Sequence, residues 1–560
     1  GVVAALSVHL QPDRAATVPR ADHPEQMYID IGARSEAEAR AAGVDLLDPI
    51  TLEKSFTDLG KGRVSAPWIS GRAGAEALVE LALLMRQTPP AGTVTLGFVS
   101  QQYNGNAGLA RVLARVQADR MVWLKPGGGV KPAVAPVADR APQMADQIAA
   151  LAAKSKLDLD RDSAARLDVP AFASEEIWKQ PERAASLTLG VENAGTPVEV
   201  LSSLSPIFRL LEDLAGIQVA GGEGGSIGKG AFERPVLEQL IEVSGVSGHE
   251  APVRQLIQTL LPEWARRVSR VDDKGNLIVA VGEKPERLFL AHMDELGFEV
   301  TEVESNGKLW ATSHGGGTVD FFEWHAGMVH TDSRSLPAIL LASQGGGLSQ
   351  RVEVDIGATS QQEAVAMGAW IGSTVTVRKK LRPLLGTRVS ARSLDDRAGC
   401  AALVELLRSL RPDEIKRPAW FVFTVDEETG LHGAEFLAES VHPKEVYPLD
   451  TFVSSDSPLE NHRFADARLG DGFVIRAIDS SGMTPREAVM RVAELARRHN
   501  IPVQYGVTSG ANDGSKFVAG GAVNIPLGWP LRYSHSPAEV ADLADVEALG
   551  KILSVLATEP

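Results

Sequence analysis

One stretch of sequence occurs twice in this chain of 560 residues. Residues 63–79 read RVSAPWISGRAGAEALV, and residues 388–404 read RVSARSLDDRAGCAALV. The match continues upstream without a gap, because IDIGARSEAEARAAGVDLL at 29–47 aligns with VDIGATSQQEAVAMGAWIG at 354–372. A long similarity at one constant offset is typical of a duplicated structural unit. We therefore expect the chain to contain two copies of one fold.

The first copy is predicted to be the less complete of the two. Residue 1 aligns near residue 327, so the first copy lacks a counterpart of residues 234–326. We predict residues 1–62 to be a partial β-rich lobe of this copy and residues 63–217 to be its degenerate main domain. The glycine-rich residues 218–233 predict a flexible linker to the second copy.

The second copy, residues 234–560, has the pattern of an α/β fold. Short apolar runs such as RLFLAH and PAWFVFT end in polar residues, which is typical of buried parallel strands. Helical patterns such as GCAALVELLRSL lie between these runs. We expect residues 234–302 and 388–560 to form one α/β domain. Residues 303–387 are richer in glycine and short strand-like pieces, which predicts an inserted β-rich lobe.

The composition argues against nucleic-acid and membrane partners. The net charge of −16 repels phosphate backbones. No apolar run reaches the roughly 20 residues that are needed to cross a bilayer. The single cysteine, Cys400, excludes an internal disulfide and fits a reducing compartment. We therefore expect a cytoplasmic protein without a nucleic-acid or membrane partner.

Residues that could bind metal ions follow the apolar runs of the second copy. They are two histidines and five acidic residues: His292, Asp294, Asp395, Glu427, Glu428, Asp456 and His535. Two imidazoles with several carboxylates suit zinc, cobalt or manganese better than calcium or magnesium. Asp294 faces the same way along its strand as His292 and is expected to hold that ring. Because a single histidine or acidic pair is seldom a site by itself, the interpretation depends on the whole set lying at strand ends.

Four motifs of the second copy, AHMDELGF, SLDDRAGCA, DEETGLHGA and RYSHSPAEV, resemble those of the glutamyl aminopeptidase and tetrahedral aminopeptidase family of dinuclear metallopeptidases. The resemblance covers about 234–560. It implies a mixed-sheet α/β/α domain with an inserted lobe that is used in dimerisation. It also implies large hollow particles that are built from dimers and that remove N-terminal residues from peptides. Residues 457–472 and 508–517 depart from the family pattern and leave the preferred substrate open.

The resemblance also implies residue roles. It implies two divalent ions, zinc with cobalt or manganese as alternatives, which are held by His292, Asp395, Glu428, Asp456 and His535. Asp395 would bridge the two ions. Glu427 would be the general base, with Asp294 supporting the catalytic group.

The first copy has lost these residue types. The alignment places uncharged residues or a lysine opposite them: Ser70, Gln101, Gln102, Lys125 and Gly195. Without carboxylates, two divalent cations would sit in an uncompensated positive field. We therefore predict a metal-free pseudoenzyme half with a structural or regulatory role. We expect the two halves to pair as an intramolecular pseudo-dimer within a homo-oligomer.

The sequence thus predicts a metal-dependent aminopeptidase that acts on peptide substrates. Two alternatives stay open. The chain could be a non-catalytic scaffold or assembly protein that derives from a peptidase. It could also be a hydrolase of acylated amino acids, because related dinuclear folds carry out that reaction.

Overall fold

The computed structural model divides into two compact units. The large unit combines Gly1–Pro49 with Ala231–Pro560, and the small unit is Ile50–Gly230. The structure describes residues 1–3, 28–46, 48–53, 55–60, 63–90, 92–100, 109, 112, 116, 119–128, 132–136, 143–154, 157–161, 184–192, 199–201, 207, 210, 211, 214, 235–316, 319–341, 350–457, 460, 463 and 465–560. The predicted linker lies outside these residues.

The start of the chain contributes two short strands and a helix to the large unit: β1 Val2–Val3, β2 Ile29–Asp30 and α1 Glu36–Ala41. The strands pair antiparallel, with Val2 opposite Asp30. Residues 1–49 pack with the rest of the large unit, because Asp30 and its neighbours bond to side chains and backbone beyond residue 380. That residues 1–62 are a partial β-rich lobe of the first copy stays a prediction, because packing does not decide from which copy a segment descends.

The small unit is built from strands and helices in mixed order. Its elements are β3 Thr57–Gly60, β4 Arg63–Ala66, α2 Ile69–Gln87, β5 Met121–Gly128, β6 Ala133–Pro136, α3 Gln143–Lys154, β7 Asp160–Arg161, β8 Ala184–Glu192 and β9 Glu199–Leu201. The sheet order is β3-β4-β9-β8-β6-β7, and β5 also pairs with β8. Helix α2 buries Ala73, Ala77, Leu81 and Leu84, the spacing of one helical face.

The remainder of the large unit is also α/β. Its helices are α4 Val236–Glu242, α5 Ala251–Leu260, α6 Glu263–Arg267, α7 Gln361–Ala366, α8 Leu394–Ser409, α9 His432–Ala438, α10 Arg486–Arg498 and α11 Leu543–Thr558. Short 3-10 helices span Val319–Phe321, Pro412–Glu414 and Asp513–Gly520. None of the helices in the described part of the chain is both long and apolar enough to cross a bilayer.

Its strands follow in chain order as β10 Ser269–Val271, β11 Leu277–Val281, β12 Arg287–His292, β13 Gly297–Val303, β14 Leu309–His314, β15 His325–His330, β16 Ser335–Leu340, β17 Arg351–Asp355, β18 Thr374–Val377, β19 Arg382–Pro383, β20 Arg388–Ala391, β21 Ala419–Thr424, β22 Glu445–Pro448, β23 Phe452–Val453, β24 Phe473–Asp479, β25 Gly482–Met483, β26 Val503–Val507, β27 Val523–Asn524, β28 Leu527–Gly528, β29 Pro530–Arg532 and β30 Glu539–Asp542. The central sheet has the order β10-β11-β21-β12-β22-β27. Strand β12 runs parallel to β21 and β22, whereas β11 is antiparallel to β21. The predicted α/β class is confirmed, and its central sheet is mixed.

Three buried aromatic rings fix the register of the central strands. Phe289 of β12 lies opposite Phe421 of β21 and Tyr447 of β22. The ring centroids of Phe289 are 5.1 Å from those of both neighbours, in stacked geometry. A slip of one residue would turn every side chain to the opposite face of the sheet. The stacked rings therefore determine which residues arrive at the carboxyl ends of these strands.

The inserted lobe is a closed barrel of six strands in the order β13-β14-β17-β16-β15-β18. It spans residues 297–377, whereas the sequence predicted 303–387. The barrel starts earlier because Gly297–Val303 pairs along its length with β14, and Phe298 also pairs with Val375 of β18.

A second sheet has the order β19-β20-β30-β29-β23, and its first strand follows the last strand of the barrel along the chain. Strand β20 leads into α8, and β29 leads to the loop that contains His535. Strand β30 pairs antiparallel with both of them. This sheet therefore carries the parts of the chain that precede Asp395 and His535.

A buried ion cluster fixes the chain where it enters and leaves the barrel. Glu295 precedes β13, and its carboxylate lies 2.6 Å from the Nζ of Lys379, just beyond β18. The same carboxylate is 3.3 Å from Arg397 of α8 and accepts the N–H of Gly245 at 2.9 Å. Burial alone would raise the pKa of Glu295, but the surrounding cations outweigh burial and lower it.

Replacing Glu295 with Gln should lower the free energy of unfolding of the large unit by about 3–5 kcal/mol, because the side chains of Lys379 and Arg397 would stay buried without a counter-charge. Pulse proteolysis of metal-free protein in urea would measure the change. The control is Glu299→Gln, since Glu299 pairs at partly exposed positions with His249 and His314. The control should cost less than about 1 kcal/mol, and equal losses for both variants would contradict the account.

Candidate metal centre

The candidate site lies at the carboxyl ends of three neighbouring parallel strands. His292 ends β12, Glu427 and Glu428 follow β21, and Asp450 follows β22. Because β21, β12 and β22 are adjacent and parallel, these ends meet at one edge of the central sheet. Asp395 reaches the same place from the start of α8, as the contacts below show.

His292 is held from both sides of its ring. Its Nδ1 lies 3.4 Å from Oδ1 of Asp294, and its Nε2 lies 3.3 Å from Oδ1 of Asp395. The imidazole is 3% exposed and Asp294 is fully buried. A carboxylate on one ring nitrogen orients the other nitrogen for a ligand. Asp294 therefore has the position expected of a residue that orients His292.

Asp395 lies between two imidazoles. One carboxylate oxygen faces His292, and the other is 3.8 Å from Nε2 of His535, beyond hydrogen-bond distance. The second oxygen also accepts a hydrogen bond from Oγ1 of Thr451 at 3.0 Å. Asp395 therefore has one carboxylate oxygen towards each of the two histidines.

Asp450 is the carboxylate that sequence reasoning missed. One ligand atom each from His292, Asp395 and Asp450 lie within 4.8 Å of one another, in a buried group that could hold a metal ion. Asp450 also pairs with Nη1 of Arg476 at 2.5 Å. The sequence feature that could have indicated Asp450 is its position shortly after β22, the strand that pairs with β12.

The structure places Asp456, which the sequence predicted as a ligand, against an arginine. Arg532 contacts both carboxylate oxygens of Asp456, through Nε at 2.7 Å and Nη2 at 3.0 Å. Asp456 follows β23, which belongs to the second sheet and not to the central one. Among the described residues, the buried group that could hold a metal ion contains Asp450 with His292 and Asp395, and Asp456 is not one of its members.

The glutamate pair is fixed through its backbone. The N–H of Glu427 donates to Oδ1 of Asp294, and the N–H of Glu428 donates to Oδ2, both at 3.0 Å. The carboxylate of Glu428 lies 3.4 Å from Nε2 of His535, whereas that of Glu427 lies 4.0 Å from Nε2 of His292. The two side chains therefore approach different imidazoles.

The electrostatics of the site favour additional positive charge. Burial raises the pKa values of Glu427 and Glu428 well above the ordinary range, and it raises that of Asp450 to about 6 despite Arg476. Burial would lower the pKa of His292, but the charge of Glu427 and its other acidic neighbours outweighs burial and raises it. Buried carboxylates thus exceed the nearby cations, an imbalance that divalent ions would correct.

The described donors include one buried group that could hold a metal ion, formed by His292, Asp395 and Asp450. Nε2 of His535 lies 3.4 Å from the carboxylate of Glu428 and 3.8 Å from the second carboxylate oxygen of Asp395. Imidazole with carboxylate oxygens is a donor set for zinc, cobalt or manganese.

The residues of the small unit that align with the predicted ligands and the general base are outside what the structure describes, wholly or at their side chains. Gln101, Gln102 and Gly195 lie outside the described residues, and so do the side chains of Ser70 and Lys125. The predicted loss of ligands in that unit therefore stays a prediction from the sequence.

Comparison with known families places the chain near aminopeptidases. A family model for M42 glutamyl aminopeptidase matches residues 1–124 and 275–552, together more than half of the chain. The lysyl aminopeptidase of Pyrococcus furiosus is 28% identical over 342 residues, which cover 58% of this chain and 96% of that protein.

Solved structures give a similar result. One is described as a Pyrococcus horikoshii TET1 peptidase that can assemble into a tetrahedron or a large octahedral shell. It is 34% identical, with a TM-score of 0.54 over 58% of this chain and 98% of that chain. The dodecamer PhTET1-12s is 35% identical, with a TM-score of 0.53 and the same coverage.

The two aspartates that follow β22 and β23 give opposite predictions. Asp450→Asn should weaken the binding of one ion by about tenfold or more, because it removes a charged oxygen from the group with His292 and Asp395. Asp456→Asn keeps an acceptor for Arg532 and should leave ion binding within about twofold. Calorimetric titration of metal-free protein with Zn²⁺ would measure both, and stronger loss in Asp456→Asn would contradict this assignment.

Proposed function

Because the chain belongs to the peptidase M42 family of glutamyl aminopeptidases, we propose that it is a metal-dependent aminopeptidase that removes residues from the N-termini of peptides. The observation that carries the proposal is the position of Asp395, whose two carboxylate oxygens face His292 and His535. Two similar positions with one shared carboxylate suit a pair of divalent ions.

We propose His292, Asp395, Asp450, Glu428 and His535 as the ligands. Asp450 takes the place that the sequence prediction gave to Asp456. When bound, the ions would supply Lewis-acid polarisation of the scissile carbonyl and activation of a water molecule. Zinc is the proposed metal, with cobalt or manganese as alternatives.

Glu427 is the proposed general base. It takes a proton from the attacking water and returns that proton to the leaving amine. Asp294 fixes this geometry, because it binds the N–H groups of Glu427 and Glu428 and lies 3.4 Å from Nδ1 of His292. A single carboxylate thus positions the base and two ligands.

Glu427→Gln should lower kcat by about 100-fold or more, since an amide cannot accept the proton. The bound ions should stay, because Glu427 is not a proposed ligand. The neighbouring variant Glu428→Gln is the matched comparison and should lose affinity for one ion. Zn²⁺-reconstituted protein and a library of peptides with free N-termini provide the assay, with metal content measured in parallel. Unimpaired turnover in Glu427→Gln would refute its role.

The same assay separates the alternatives. Cleavage of free aminoacyl substrates but not of N-acylated ones supports an aminopeptidase. The reverse preference supports a hydrolase of acylated amino acids. A fully loaded protein that cleaves neither is a scaffold. In each case the chelated protein serves as the blank, and activity that survives chelation contradicts metal dependence.

We also propose that the small unit descends from a duplication of the large one. Strand β4 and strand β20 have the same sequence, RVSA, and each is followed by a left-handed residue before a helix, Trp68 at φ 51° and Ser393 at φ 68°. The strands that pair with β4 and β20 also correspond. Val64 of β4 lies opposite Leu201 of β9, and the equivalent Val389 of β20 lies opposite Ala541 of β30.

The coverage of the relatives supports this proposal. About 58% of this chain spans 98% of the TET1 peptidase of Pyrococcus horikoshii, so the remaining residues are additional to the length of that relative. The family model also matches residues 1–124, which include β4 and α2. The proposed role of this additional copy is structural or regulatory, because its sequence lacks the ligands.

For assembly, we propose a homo-oligomer in which the additional copy takes the place of one subunit of each pair. If so, a particle equivalent to the dodecamer PhTET1-12s would contain half as many chains. Native mass spectrometry of the full chain would count them. A particle with the full dodecameric number of chains would contradict the proposal, because both copies would then occupy one subunit position.

A further inference from the structure

The loop that carries His535 has an unfavourable backbone. Tyr533 and His535 both lie in the left-handed region, at φ 58° and φ 63°, although neither is glycine. Such conformations are unfavourable for residues other than glycine and persist only where the surroundings determine them. The position of the His535 imidazole therefore depends on what holds this loop, together with the 3.4 Å contact between its Nδ1 and the carbonyl oxygen of Gly316.

Two hydrogen bonds formed by residues 533–539 hold the backbone of this loop. The N–H of His535 donates to Oε1 of Glu539 at 3.0 Å, and the N–H of Ser536 donates to the carbonyl of Tyr533 at 3.1 Å. Both bonds involve the backbone of the loop, at His535 and between Ser536 and Tyr533. Neither fixes the side chains of Arg532 and Tyr533, which lead into the loop.

Asp30 holds those two side chains from the start of the chain. Its Oδ2 accepts from Nη1 of Arg532 at 2.7 Å and from the hydroxyl of Tyr533 at 3.0 Å. Its Oδ1 accepts the N–H of Gly32 at 2.8 Å. Asp30 is 1% exposed and Tyr533 is 2% exposed, so water does not compete for these bonds. Arg532 lies between Asp30 and Asp456 and is paired with both.

The segment around Asp30 is docked by further bonds. Arg388 donates to the carbonyl of Gly32 at 3.1 Å, and the N–H of Leu385 donates to the carbonyl of Ile31 at 3.0 Å. Val2 of β1 belongs to the same apolar cluster as Tyr533 and Val540. Asp30 thus reaches Tyr533 as part of a bound segment.

We infer that Asp30 is a positioning residue for His535. By accepting hydrogen bonds from Arg532 and Tyr533, Asp30 holds the loop in the conformation that directs the His535 imidazole towards Glu428 and Oδ2 of Asp395. The inference rests on the proposed function, because it concerns the ion position formed by His535. It assigns to the first residues of the chain a part in forming one of the two ion positions.

Cobalt titration of the metal-free full chain tests the inference. Visible absorbance and calorimetry would follow Co²⁺ binding in the wild type and in Asp30→Ala. The wild type should bind two ions. Asp30→Ala should bind one ion normally and the other about tenfold more weakly or worse. The affected ion should be the one that is lost in His535→Ala and not the one that is lost in His292→Ala.

The control is Arg34→Ala. Arg34 lies in the same segment and contacts Asp542 at 3.3 Å, but its side chain is 55% exposed and is not among the hydrogen-bond partners of Arg532 and Tyr533. Its two ion affinities should match those of the wild type within about twofold. A loss in Arg34→Ala equal to that in Asp30→Ala would overturn the specific role of Asp30.

Two milder variants keep the test valid if Asp30→Ala does not fold. Asp30→Asn removes the charge that faces Arg532, and Tyr533→Phe removes only the hydroxyl. Each should weaken the same ion while the other ion binds normally. Unchanged affinities in these variants, beside a wild type that binds two ions, would overturn the inference alone. A wild type that binds fewer than two ions would contradict the proposed function as well.

Discussion

The candidate centre depends on one arrangement, a buried aspartate between two imidazoles. Asp395 faces His292 with one oxygen and His535 with the other. Carboxylates outnumber the cations around it, and burial raises the pKa values of Glu427 and Glu428. Such a cluster is costly in a folded protein unless positive charge enters it. That cost is the physical reason for proposing divalent ions there.

The rest of the large unit places the groups of this cluster. The stacked rings of Phe289, Phe421 and Tyr447 fix the register of the central strands, so that His292, the glutamate pair and Asp450 meet at one edge. The second sheet supplies the remaining two groups, because β20 leads to Asp395 and β29 leads to His535. In sequence, β4 of the small unit shares RVSA with β20, and Ser70 aligns with Asp395.

The sequence was sufficient for the α/β class, the inserted β-rich lobe and most of the clustered residues. Polar side chains after apolar strands carry that information, because parallel strands end at one edge of a sheet. The sequence led to Asp456 as a ligand and not to Asp450, although both follow short apolar runs. Our proposal of Asp450 rests on sheet membership, because of these two residues only Asp450 follows a strand beside β12. The grouping of residues 1–49 with the large unit could not be predicted either, because it depends on long-range bonds such as that from Arg532 to Asp30.

The central claim is that one chain holds one pair of ions around Asp395. Anomalous diffraction from crystals of the zinc-loaded full chain would test it most directly. The account predicts two peaks roughly 3.5–4 Å apart, one beside His292 and one beside His535, with Asp395 between them and no peak within residues 63–217. A single peak, a pair that does not contact Asp395, or a second pair within residues 63–217 would contradict it.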